Sequence, residues 1–429
     1  MKKLFLTSLK NISFYLGQSV FIGLIVGAYQ LGITFFKDSS NFLYNSRSII
    51  IIILTILLVI VLAILNDLIL RFNPRINGSA IPYIELAIRE NKKIDYKKGV
   101  VTIILNSFIS TLAGFTLGSE GPSICLGAMS GSLFSDLFKR DKDVNEDLYI
   151  ASGAGFACAF LSPLSGICYI YEEFIHKVNI KNLIKAIFVT FISVLITYLI
   201  NKHHLLSISN LNILPLNVGY VYIFLFISNL IIGYLFIKLI ILIRKFFNKF
   251  KNNKFIKYRS YFFFAIILVL NYLCLEYMGS GLNIISNVST YTSIILVILI
   301  LVFRFIITIF SGNAKVTGGL VVPIMCLGSL SGQLICLIGS KYFNLDSSYF
   351  TFIILVSSCM LFGIITKVPL TASSLVISTI FSCTFNFIYV LKVLPIVLIL
   401  FISASLFARK VLKLDCIYEE MILADNLEK

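Results

Sequence analysis

Residues 118–131 read GSEGPSICLGAMSG, and residues 318–332 read GGLVVPIMCLGSLSG. From Pro122 and Pro323 onward, six of ten positions are identical, at an offset of 201 residues. Proline suits the first turn of a helix, where its missing N–H would be unpaired anyway. Each stretch therefore reads as a glycine-rich turn that opens a helix. A second echo pairs Pro163-Leu-Ser-Gly166 with Pro369-Leu-Thr-Ala372, at an offset of 206. Two echoes at nearly equal spacing indicate a chain built from two related halves. The division expected is a first repeat over 1–215, a connecting span and basic loop over 216–260, and a second repeat over 261–429.

Composition says where such halves sit. Of 429 residues, 58% are hydrophobic and 13% charged, with a mean hydropathy of +0.96, whereas soluble domains carry about 25% charged residues. The runs Ser48–Asn66, Leu183–Ile200, Val218–Ile243, Tyr261–Cys274 and Ser293–Phe310 approach or exceed the ~20 residues that cross a bilayer. The fold class expected is an all-α polytopic membrane protein. The opening MKKLFLTSLKN is broken by Lys10 and Asn11 and lacks a clean cleavage site. It reads as a cytoplasmic lead into a first span near Gln18–Phe36.

The net charge of +16 is concentrated in loops: Arg244–Arg259 holds seven basic residues and no acidic one, and Arg89–Lys98 holds five against two. Short basic loops mark the cytoplasmic side and suit anionic lipid headgroups, so membrane lipids rather than nucleic acid are the expected partners. The nine cysteines form no CxxC pair, and His176, His203 and His204 lie at span ends or in loops. No disulfide framework, metal site or cofactor is expected from that pattern. An intramembrane enzyme would need a nucleophile–base, paired-Asp or metal constellation. With no HExxH and no midspan histidine, the chain reads as a non-enzyme.

The segment Pro122–Leu137 amounts to ~24 Å of helix, short of the ~30 Å hydrocarbon thickness, and Pro323–Gly339 is similar. Helices that stop inside a membrane leave backbone groups unpaired, which is tolerated only around a protein-enclosed or watery cavity. Paired interruptions in two halves point to a transport site at their interface. Glu120 stands at the first of them. The free N–H groups and dipole of a helix start make a seat for an anion. A carboxylate can occupy that seat, a mobile anion can compete for it, and a proton can release the carboxylate. The second interruption, TGGLVVP, offers Gly318 and Gly319 ahead of the amides of Leu320, Val321 and Val322. A third, NGSAIPYIEL, places the Ser79 hydroxyl at another helix start, where a serine also serves as an ordinary cap.

Gly78-Ser-Ala-Ile-Pro82, Gly118-Ser-Glu-Gly-Pro122 and Gly318-Gly-Leu-Val-Val-Pro323 resemble, in order and spacing, the three anion-site motifs of the CLC chloride channels and proton-coupled transporters. AFLSPLSGICYIYEEF (159–174) resembles that family's apolar helix ending in two glutamates, and KLDCIYEEM (413–421) resembles its tyrosine segment. The likeness runs from about residue 18 to 422. It implies two inverted-topology repeats with broken and re-entrant helices, a homodimer in the cell membrane, and transport of chloride and protons. It makes Glu120 the external gating glutamate and Glu173 the internal proton-transfer glutamate. Ser79 and Tyr418 would give hydroxyls to the anion, and Gly318, Gly319, Leu320 and Val321 the backbone cradle.

Glu172, beside Glu173, reads as a helix-end residue that meets solvent. Glu173 favours proton-coupled antiport over a passive chloride channel, because the family's channels generally lack this acid. A fluoride/proton antiporter of the same fold is the other alternative. Departures from the family bear on selectivity and rate: Ser119 where Lys or Arg is frequent, Val321 for Phe, Ala80 for Gly, Ser378 for Glu. Arg304 and Lys367 fall within apolar stretches, and Arg304 reads as structural. The chain ends soon after Tyr418, so the paired cytoplasmic regulatory domains of many relatives are not expected.

Overall fold

The computed structural model describes residues 2–425 apart from 91, 93, 140–143, 176–178, 203–211, 213, 215–217 and 251–252. His176, His203 and His204 lie outside the described residues. The first half holds α1 (Lys2–Asn45), α2 (Ile49–Phe72), α3 (Ile81–Arg89), α4 (Tyr96–Leu112), α5 (Glu120–Leu137), α6 (Val144–Phe160), α7 (Pro163–Tyr169) and α8 (Ile180–Ile200). Then come α9 (Tyr220–Lys249), the single turn α10 (Lys254–Lys257), α11 (Arg259–Cys274), α12 (Leu282–Asn287) and α13 (Ile294–Gly312). The last five are α14 (Val321–Phe343), α15 (Phe350–Thr366), α16 (Pro369–Thr384), α17 (Phe387–Lys410) and α18 (Ile417–Asp425). Among the described residues, nine helical stretches are long and apolar enough to cross a membrane. The chain is an all-α, multi-pass membrane protein.

Two expectations about lengths need correction. The lead before Gln18 is not separate from the first span, since α1 is one helix from Lys2 to Asn45; no proline falls within it to break the backbone ladder. The helix opened by Pro323 does not stop short. It runs for 23 residues, about 34 Å, because Ser340–Phe343 continue it until Asn344 turns left-handed (φ 52°) and caps it.

The echoes in sequence become echoes in packing. A Cβ at Gly127 of α5 would lie 2.4 Å from the Ala151 carbonyl and 2.7 Å from the Gly155 Cα of α6. At Gly328 of α14 it would lie 2.6 Å from the Ser357 carbonyl and 2.8 Å from the Ser358 Cα of α15. The same close helix contact is thus made once in each half. The two helices leave the centre in opposite directions. The far end of α5 meets the cytoplasmic loop, where Tyr96 donates to Asp136. On α14, Gln333 donates to the Tyr291 carbonyl (2.7 Å), just beyond α12 at the other end.

α14 and α15 are buried along most of their length, while α2 turns Ile49, Ile53, Leu57, Ile60 and Ile64 outward. An outward apolar face of that extent fits hydrocarbon, not water.

Candidate anion and proton site

The site is assembled from backbone. Gly118 N–H donates to the Gly319 carbonyl (2.8 Å) and Gly319 N–H returns a bond to Gly118 (2.7 Å). Gly78 N–H donates to Val316 (3.0 Å), and Gly318 N–H donates to Gly78 (2.9 Å). The three interrupted motifs are therefore tied directly to one another across 240 residues of sequence (318 − 78). These bonds replace the helical partners that the broken segments lack, so the turns can be dry without leaving buried orphans. Contact is tight: a Cβ on Gly121 would lie 2.9 Å from the Ser79 Cβ and 3.0 Å from the Gly319 Cα.

Polar side chains brace the seam. Thr317 donates to the Ile76 carbonyl (2.8 Å), Asn106 of α4 donates to the Thr317 hydroxyl (2.8 Å), and Ser110 donates to the Thr317 carbonyl (2.7 Å).

Glu120 is the first residue of α5, with Ser119 as its N-cap, so the helix begins two residues before Pro122. The side chain is fully buried. Its Oε1 accepts from the Ser119 hydroxyl at 3.2 Å, and the backbone N–H groups of Ser119, Glu120 and Val322 face the carboxylate. Oε2 folds back over Gly118, where any Cβ would meet it at 2.1 Å. The carboxylate thus sits against the amide end of α14 as well as its own helix, and charge of that sign is favoured at both. The same Ser119 hydrogen is shared with Gln30 Oε1 (3.2 Å), and Gln30 Nε2 donates to the Ser123 hydroxyl (2.8 Å). Gln30, from α1, therefore orients the turn that presents Glu120.

Ser79 is nearly buried, and its Oγ accepts the Ile81 amide at 3.3 Å. Next to it, Ala80 is left-handed (φ 57°), a conformation costing an L-residue about 1–2 kcal/mol. Tyr418 is not a residue of an open tail. It lies in α18, is 1% exposed, and its hydroxyl has no hydrogen-bond partner. Ser79 meets α5 at Cys125, whose thiol donates to the Ser79 carbonyl (3.4 Å), and Tyr418 lies within electrostatic reach of the same cysteine. α18 is held in place by Asp425, which accepts from Arg244 Nε (2.8 Å) and Asn248 (2.9 Å) of α9. Leu320 and Val321 are buried at the start of α14, with Gly318 pressed against Leu117.

The glutamate pair divides. Glu172 does not simply meet solvent. It accepts from Leu370 N (2.6 Å), Thr371 N (2.7 Å) and the Thr371 hydroxyl (2.7 Å), capping the start of α16 from the opposite half. Val368, the backbone N-cap there, supplies no side-chain bond, and a carboxylate at a helix start is favoured. Glu173 points elsewhere, with Oε1 enclosed and unpartnered. Glu172 and Glu173 line a cytoplasmic cavity of about 570 Å³ together with Glu85, Arg89, Lys367, Arg409, Asp415 and Glu419. Arg89 Nη2 bridges Glu85 and Glu419 at 2.5 Å each, tying α3 to α18. Burial pushes the Lys367 ammonium down to about 8.

Sequence reading misses Gln30, Asn106, Arg89, Glu85 and Glu419. The signal for the first two is polarity inside apolar helices, since a buried amide needs a partner. The Arg89–Glu419 pair joins residues 330 apart and has no local signature. Arg304 is fully buried and donates to the carbonyls of Tyr277 (3.2 Å), Gly279 (2.8 Å) and Ser280 (3.1 Å).

A family model described as voltage gated chloride channel matches residues 63–404, well over half of the chain. The chain belongs to that family. Its members are transporters, which accords with paired broken helices at a half-to-half seam. Three solved structures share the fold. A slow cyanobacterial Cl−/H+ antiporter is 22% identical with a TM-score of 0.82, covering 96% of this chain and 98% of its own. A CLC-type fluoride/proton antiporter is 19% identical with a TM-score of 0.74 and the same two coverages, 96% and 98%. A eukaryotic CLC transporter is 16% identical with a TM-score of 0.75, covering 97% of this chain and 74% of its own.

Proposed function

We propose that this member of the voltage-gated chloride channel family exchanges chloride for protons across the cell membrane. One observation carries the reading: a fully buried carboxylate, Glu120, lies against the amide starts of two helices from different halves. When Glu120 is ionised it holds the seat itself. When it takes a proton it loses its attraction to the amides, and chloride takes the place among the backbone of Gly318–Val321 and the hydroxyls of Ser79 and Tyr418. Occupancy by anion and loading of the proton are then two faces of one event.

Glu173 supplies the other half of the reading. A proton crossing apolar protein without an ionisable stop is costly, and Glu173, which lines the cytoplasmic cavity within electrostatic reach of Tyr418, would supply one. A passive channel has no use for such a stop. The protein would work as a homodimer with one pathway per subunit, its repeats being 1–215 and 261–429, joined by 216–260.

The test is flux in liposomes with chloride and pH read together. An imposed chloride gradient should drive protons uphill; chloride flux with no proton movement would leave a channel. Glu120→Gln should abolish proton movement. Glu173→Ala should stop protons while chloride continues. Stoichiometric proton transport by the Glu120→Gln protein would refute the assigned role. Fluoride in place of chloride in the same assay reads the anion preference.

A further inference from the structure

The outer face of the seat opens into a cleft of about 670 Å³ of empty space. Glu120 and Ser119 form its floor, and its walls come from α1 and from the 278–283 turn. Among the described residues lining it, Glu120 is the only carboxylate and Lys37 the only cation. Lys37 reaches across the cleft and donates to Asn283 Oδ1 at 2.8 Å. An amide oxygen does not neutralise an ammonium, so the charge stays available to whatever enters. Asp38, the adjacent acid, acts on Lys37 electrostatically but is exposed and lines a separate cavity with Phe42 and Leu58, so it offsets the ammonium in part and makes no ion pair with it across the cleft.

The opposite wall is also positive. Arg304 lies buried behind the turn, bound to the carbonyls of Tyr277, Gly279 and Ser280, with no acid among its partners. Those carbonyl bonds hold the turn that carries Asn283, so Arg304 sets the wall while Lys37 faces the opening.

We infer that Lys37 is the external recruiting site for the transported anion, holding a small monovalent anion in the outer cleft before it displaces the Glu120 carboxylate. Low-dielectric walls of one sign focus the field of a charge and raise the local concentration of counter-ions. A lysine suits the task because a hydrated point charge binds a small anion loosely and releases it. The inference rests on the proposed anion transport but not on proton coupling. It concerns how the anion arrives from outside.

The experiment measures the half-saturating chloride concentration separately from each face of the full-length protein in oriented liposomes. Wild-type protein must first carry chloride; if it carries none, the transport reading fails, not this one. Lys37→Gln is expected to raise the external half-saturating chloride about three- to tenfold at low ionic strength, and less at 0.3 M added inert salt, where exposed charges are screened. The value from the cytoplasmic face should not move. The charge is then transposed: Lys37→Asn combined with Asn283→Lys returns the ammonium to the same spot from the other wall and should restore the external value. A purely structural Lys37 would lower maximal flux from both faces and would gain nothing from the transposition. An unchanged external value in Lys37→Gln, or equal changes at both faces, would overturn the assignment.

Discussion

Replacing Gly319 by alanine tests whether the seat is made by backbone pairing between the halves. The added methyl would lie 2.6 Å from the Gly121 amide nitrogen, 3.2 Å from the Gly121 Cα and 3.3 Å from the Gly118 carbonyl. All three are main-chain atoms of the turn that carries Glu120, so no side chain can rotate away. Relief requires separating the two turns, which breaks the two Gly118–Gly319 bonds of 2.8 and 2.7 Å. At about 1 kcal/mol per bond and about 1–3 kcal/mol for the overpacking, the local cost is about 3–5 kcal/mol.

If that cost falls on the anion-bound geometry, affinity drops about 100-fold or more at 1.4 kcal/mol per decade. Chloride efflux from liposomes at fixed chloride should fall accordingly, and Glu120→Gln added to the variant should not rescue it. Two neighbours calibrate the result. Gly78→Ala meets nothing within 4 Å but must hold φ 71°, a strain of about 1–2 kcal/mol, so efflux should fall about tenfold. Gly312→Ala meets only side-chain methyls of Ile240 (3.1 Å) and Leu320 (3.3 Å) and should stay near wild type. Wild-type efflux from Gly319→Ala would refute the backbone seat.

Arg89→Gln should destabilise the protein by about 1–3 kcal/mol, because Glu85, whose side chain is 3% exposed and which burial already pushes up to about 7, loses its cation and must take a proton in its place. Denaturation midpoints in detergent read this, and Glu85→Gln in the same background should recover most of the loss. Lys367, held down to about 8 by burial, is charged below that pH and neutral above it. The half-saturating chloride at the cytoplasmic face should therefore rise about threefold as internal pH goes from 7 to 9, and Lys367→Arg should reduce that rise. Glu85, which burial pushes up to about 7, shares the cavity and gains negative charge over the same range, so the part of the change that survives in Lys367→Arg belongs to the cavity acids. Ala80→Gly should raise the denaturation midpoint, since relief of about 1–2 kcal/mol of left-handed strain exceeds the about 0.5–1 kcal/mol of chain entropy that glycine adds.

The parts of the site that are legible in the sequence are those with a local chemical reason. A glycine-rich turn followed by proline inside an apolar run announces a broken helix, so the motifs at 78–82, 118–122 and 318–323 can be found without a structure. Their convergence is legible too, since unpaired backbone in a membrane must be covered by protein. The partners doing the covering are not. Glu172 looks like a solvent-facing helix end until α16 arrives from the other half with three donors. Tyr418 is singled out only by the family resemblance, and its burial shows only once α18 is pinned to α9 through Arg244 and Asp425. Lys37 sits in α1, where nothing in the neighbouring sequence says which helix it faces. Each depends on a packing choice between helices more than 100 residues apart, which neither propensity nor spacing encodes.

The distribution of charge explains why a seat of amides suits transport. Two opposite unit charges 4 Å apart attract by about 4 kcal/mol at an effective dielectric constant of 20, and by more as the surroundings dry. A lysine or arginine at the centre would hold chloride against release. Here the cations stand back at the mouths: Lys37 and the buried Arg304 outside, Arg89, Lys367 and Arg409 inside. Between them the seam is laced by Gly78, Gly118, Gly318 and Gly319, with the hydroxyls of Ser79 and Thr317 beside it. Partial charges at helix starts attract an anion about as well as they attract a carboxylate, so neither wins outright. Among the described residues lining the outer cleft Glu120 is the only carboxylate, and in the proposed cycle a single proton on it tips the balance. Substituting Val321 or Ser79 should therefore shift which anion competes best, whereas moving charge at the mouths should change how fast it arrives.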